Sequence, residues 1–107
     1  MLNFDAFFKE LKKGAVEIAK EQARDFVKEA TSDGNEFLDD VKADLRKWTK
    51  QLAEGKLSKK DFEFLVMGKK DIAKMEALKQ AGLAAIRVEQ IRTAMIDLVI
   101  TCAGKMV

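Results

Sequence analysis

The sequence predicts an all-α protein, and three observations carry that prediction. No proline interrupts the chain, and apolar residues recur at spacings of three and four through nearly its whole length. Residues 52–62 also carry a complete set of helix stop and start signals. With 107 residues there is room for one domain, residues 1–107, and one modest core. The expected architecture is a helical hairpin followed by a long or kinked C-terminal helix, with the bundle completed by oligomerisation.

The first helix is expected over about 3–31. Asn3 can cap its free amides, Leu2 can staple onto Phe7, and Asp5 sits where the helix dipole favours an anion. Phe4, Phe8, Leu11, Ala15, Ala19, Gln22, Phe26 and Ala30 recur with an 11-residue period of about 3.67 residues per turn, a nearly straight stripe. Phe7 and Ile18 widen it, and lysines occupy the opposite face. Such a face suits the core of a bundle. It also suits a surface-binding amphipathic helix that lays Phe4, Phe7, Phe8, Leu11 and Ile18 into a membrane interface.

Thr31-Ser32-Asp33-Gly34-Asn35 has the composition of a turn, with Asp33 or Asn35 as the cap of a second helix. That helix is expected over about 35–54, with a seam of Leu38, Val41, Leu45, Trp48 and Leu52. Asp33-Gly34-Asn35 does not begin a calcium loop, because Phe37 and Leu38 stand where an oxygen ligand and a glycine are required. Asp40 and Asp44, one turn apart, are read as a solvated acidic first half rather than a cation site.

Between Leu52 and Phe62, Gly55 supplies the left-handed residue that ends one helix. Ser58 caps the next, Asp61 completes a capping box and Leu57 staples to Phe62. Leu45, Leu52, Gly55, Leu57, Ser58, Asp61 and Phe62 resemble the pattern of the bacterial short C-terminal domain (SHOCT) hairpin, over residues 45–67. The resemblance implies an interaction or oligomerisation role and transfers no catalytic residue. The chain departs from that family by continuing some forty residues further.

From Ser58 to about 105 the pattern stays helical, with Gly68 and Gly82 as the two places where it can kink or break. Unbroken, this helix would be roughly 70 Å long at 1.5 Å per residue, more than one copy of so short a chain could cover. Val88, Ile91, Met95, Leu98 and Cys102 form one seam near its end, while Ile86, Ile96 and Ile100 face away from it. Two apolar faces need two neighbours, so Val88, Ile91, Met95, Ile96, Asp97, Leu98, Ile100 and Cys102 are the expected interface between copies. Asp97, a carboxylate among apolar neighbours, is the candidate key to its register.

Function is bounded mainly by what the sequence lacks. Without histidine there is no conventional Ser-His or Cys-His nucleophile and no histidine metal motif, and no Gly-x-x-x-x-Gly-Lys phosphate loop occurs. An enzyme, a metal site and a bound cofactor are therefore not expected. Lys plus Arg total 20 against 18 Asp plus Glu, a balance that neither demands nor forbids a nucleic-acid partner. Basic side chains outnumber acidic ones two to one over 46–79, but Trp48 falls on the apolar seam, which leaves base stacking unsupported. The single cysteine, Cys102, is compatible with a reducing compartment. The start lacks a secretory pattern and no run is apolar enough to span a bilayer, so a cytoplasmic location is expected. The expected function is a small oligomeric scaffold or adaptor that acts on another protein. The alternative is a peripheral protein on an anionic membrane surface.

Overall fold

Asn3 opens the first helix as its sequence predicts. Its Oδ1 accepts a hydrogen bond from the Ala6 amide at 3.1 Å, and α1 runs over Phe4–Ile18. The computed structural model describes residues 3–106, and side chains up to Lys105. The staple of Leu2 on Phe7 lies outside the described residues.

The expected helix 3–31 does not persist, because the chain reverses well before residue 31. A π-helical turn over Ala19–Ala23 leads into a 3-10 turn over Arg24–Phe26, and α2 then spans Val27–Ala53. Ala19, Ala23 and Ala30 are fully buried around this corner, where small side chains let the two helices close tightly. The reversal itself falls on Arg24, at φ 47 and ψ −99, a conformation that costs a non-glycine residue about 1–3 kcal/mol. Arg24→Gly is expected to relieve that strain against a smaller entropic cost. A higher urea midpoint, worth about 1 kcal/mol, is the expected reading; a lower one would mean that the arginine side chain holds the corner.

Thr31–Asn35 is consequently helix rather than turn. Asp33 caps an element distant in sequence, and Gly34 is there for close packing, not for positive φ. A Cβ on Gly34 would lie 2.9 Å from the Met95 methyl and 3.4 Å from the Ala15 Cβ. α1 runs antiparallel to α2, with Arg46 over the Phe4 ring, Lys42 over the Phe8 ring and Lys12 paired to Asp39 at 2.8 Å.

The turn after α2 forms as its capping residues require. Gly55 takes φ +75, the Lys56 amide reaches back to the Gln51 carbonyl at 2.9 Å, and Ser58 Oγ accepts from the Asp61 amide at 3.0 Å. α3, Lys59–Met67, then returns antiparallel along α2. Lys69, just past its end, pairs with Asp44 at 2.9 Å and sits over the Trp48 ring.

Gly68 and Gly82 both break the third segment. After Gly68 come a 3-10 turn over Lys70–Ile72, a left-handed Met75 at φ 56, the short α4 over Glu76–Gln80, and Gly82 at φ +92. Only then does α5 run over Ala85–Met106. The unbroken rod that one copy could not cover is therefore absent, and the C-terminal segment is the kinked one of the two forms expected. The connecting segment turns Ala73, Met75, Leu78 and Leu83 inward as part of the core. It is pinned at two points along its middle: Asp33 accepts from the Ala77 and Leu78 amides at 3.0 and 2.9 Å, and Arg92 Nε donates to the Ala73 carbonyl at 2.6 Å.

α5 lies antiparallel to α1, with Leu98 against Gly14 and Arg87 Nη2 donating to the Gln22 carbonyl. All five α-helices of the described residues contribute to one core, and the bundle they form measures 43 × 23 × 19 Å. α3 flanks the C-terminal part of α5, while the exposed Ile86 marks its opposite end. No helix among the described residues is long and apolar enough to cross a membrane.

Candidate functional site

The residues expected to form an interface between copies divide into two groups. Val88, Ile91, Met95 and Ile96 are buried within the single chain, so they are covered without a second copy. This corrects their expected placement. The two apolar faces of α5 do have two sets of neighbours, but α1 and α2 supply one and the folded-back segment 68–84 with α3 supplies the other. Asp97 is exposed, while Leu98, Ile100 and Cys102 are half-buried.

The membrane-facing set is likewise turned inward. Phe7 and Leu11 are fully buried and Phe8 nearly so. Phe4 and Ile18 are half-buried, and Phe4 stacks on Phe8. In the folded bundle none of the buried three can reach a lipid.

The fold leaves Ile72 and Ile86 outside singly, and a pair of large apolar side chains outside on α3. Phe62 and Val66, one turn apart, face the core, so at 100° per residue Phe64 must point the other way. It is 77 % exposed, and Met67, one turn further along, is 55 % exposed. Sequence reasoning misses this pair, although the short phase of Phe62 and Val66 is enough to place Phe64 outward. Lys60 and Asp61 stand beside it on the same helix, both exposed.

On the flank of α3, where it meets the ends of α2 and α5, lies a recess of about 170 Å³ lined by Leu52, Lys59, Phe62, Glu63, Ile100 and Gly104. Its floor is apolar. Lys59 and Glu63 bring one charge of each sign to its rim, and Gly104 leaves one wall open, since a Cβ there would meet nothing within 4 Å.

A second polar cluster is structural. Lys70 Nζ lies 2.6 Å from Glu89, which also pairs with Arg92, fastening the 3-10 turn to α5. The Lys70 hydrogen bond, aided by the Arg92 charge, holds the Glu89 carboxyl below its ordinary pKa. Its contribution to stability is present above the ordinary carboxylate range and fades as pH falls through the lowered value. No three metal-ligating side chains come together among the described residues.

Compared with known proteins, the chain matches no family model, no curated protein and no solved structure. What it does has to be read from its own residues.

Cys102 is half-buried, and burial pushes its thiol pKa up, with Lys105 opposing and Glu10 adding to the rise. A raised pKa keeps the thiolate scarce near neutrality. Iodoacetamide is therefore expected to label the native protein several-fold more slowly than the urea-unfolded chain at pH 7.5. Equal rates would remove the protected thiol.

Proposed function

We propose that this protein is a small helical scaffold that self-associates and presents its helices to another protein, working by contact rather than by catalysis. The observation that carries this reading is Phe64, 77 % exposed on a helix whose other aromatic residue already serves the core. An outward phenylalanine contributes little to folding, whereas phenylalanine and methionine are enriched at the centres of protein interfaces. Phe64 and Met67 form a contiguous pair, unlike the scattered apolar residues found on most surfaces. The likeness of residues 45–67 to a SHOCT hairpin supports the same reading, since both residues lie on its second helix.

The test is the mass in solution and its concentration dependence. A species of twice 12.0 kDa is expected by light scattering, with a melting temperature that rises with protein concentration. A monomer at every concentration would overturn the self-association.

The apolar face of α1, bordered by Lys9 and Lys13, favours a second reading: a peripheral protein whose helices part on an anionic membrane. Binding of that kind exposes Phe7, Phe8 and Leu11 only by opening the bundle. It would be seen as cosedimentation with anionic vesicles at low salt together with faster amide exchange in α1.

A further inference from the structure

We infer that two copies pair through α3 about a two-fold axis, the Phe64 ring of each entering the recess of the other between α3 and the ends of α2 and α5. This rests on the self-association proposed above and gives it an address.

Size, placement and charge support the pairing independently. The recess holds about 170 Å³ over Leu52, Phe62 and Ile100, and an apolar cavity of about 150 Å³ is enough for a benzene ring. Of the two large apolar side chains that α3 holds out to solvent, Phe64 and Met67, the phenylalanine is the more exposed and carries the ring of matching size.

Knob and recess lie on different sides of the same helix and at nearly the same height. Phe64 stands only one and two residues beyond Glu63 and Phe62, about 1.5–3 Å along the helix axis. A two-fold axis parallel to α3 preserves height and exchanges sides. It brings each ring to the partner's recess, and both contacts form at once, as a closed isologous dimer requires.

The charges agree with that arrangement. Lys60 and Asp61 flank the ring, while Glu63 and Lys59 rim the recess, and none of the four has an ion-pair partner among the described residues. Across the axis Lys60 faces the second copy's acidic rim and Asp61 faces its basic rim. All four charges can therefore pair between copies.

Two variants test the contact from its two sides. Phe64→Glu removes the ring at an exposed position. Gly104→Leu fills the recess from a helical position with open space around it, where leucine is the better helix former. Sedimentation equilibrium is expected to show each variant dimerising about thirtyfold or more weakly than the parent. Melting of the dilute monomers should be unchanged for Phe64→Glu and unchanged or higher for Gly104→Leu.

A parent protein that stays monomeric overturns the broader reading along with this one. A parent dimer that survives either substitution overturns this interface alone. Loss of binding to phosphatidylglycerol vesicles in Phe64→Glu, with no dimer in the parent, would assign the exposed ring to a membrane instead.

Discussion

Asp33→Ala is expected to destabilise the protein by about 3 kcal/mol and to free the segment between α3 and α5. The carboxylate is buried and accepts the Ala77 and Leu78 amides at 3.0 and 2.9 Å. These amides open a helix of five residues, too short to hold itself together. Alanine removes both bonds and leaves the Leu78 amide, in a buried setting, without its acceptor. The short helix also loses the negative charge at its positive end. Asp33→Asn should recover part of the loss, because one carbonyl oxygen can still accept while the amide nitrogen cannot. Urea unfolding gives the magnitude, and hydrogen exchange gives the place: amides 76–80 should exchange much faster at a denaturant concentration where α1 and α2 remain protected. Uniform loss across all helices would mean that Asp33 supports the whole fold rather than this clasp.

Gly34→Leu carries the second large effect, about 2 kcal/mol of destabilisation after opposing terms are combined. Leucine gains somewhat less than about 1 kcal/mol in helix propensity. Against this, its side chain enters a space where even a Cβ would lie 2.9 Å from the Met95 methyl. Met95 is 1 % exposed and has no solvent into which to retreat, and overpacking of this kind typically costs about 1–3 kcal/mol. Gly34→Ala should be close to neutral, since only the end of one flexible side chain has to shift. The contrast between the two is diagnostic. A glycine needed for positive φ would penalise alanine and leucine alike, whereas a glycine needed for packing penalises them by size. A drop in melting temperature of roughly 10 °C for leucine, against little change for alanine, is the expected result. Equal losses would point back to a turn.

These two neighbours show what is legible in the sequence and where it misleads. The helical class, the Asn3 cap and the whole hairpin from Leu52 to Phe62 are readable because their signals are local: each cap acts within four residues of itself. Asp33 and Gly34 have the composition of a local turn too, yet each is committed to a partner far along the chain, Asp33 to Ala77 and Leu78 and Gly34 to Met95. Turn propensity cannot register a partner that only the fold supplies. The true corner at Ala19–Phe26 contains neither glycine nor proline, so nothing in its composition announces a reversal. Its buried alanines read instead as continuing helix.

The same limit explains the candidate site. The apolar excess near Val88–Ile100 is real, but α1 covers one side of it and α3 with residues 68–84 the other, and a continuous helix would have carried residues 68–84 away from it. Gly68 and Gly82 locate that break without indicating that the chain folds back across its own core. Phe64 is passed over when apolar residues are weighed as seams, and its significance lies in falling outside one.

The placement of α3 beside one end of α5 has a consequence for valency. In the proposed pair, an axis parallel to α3 would set two copies side by side and leave both Ile86 ends, each 70 % exposed at that residue, on the same side. A partner able to touch one such end would meet a second held at fixed spacing, so that its second contact is intramolecular and each weak contact is reinforced by the other.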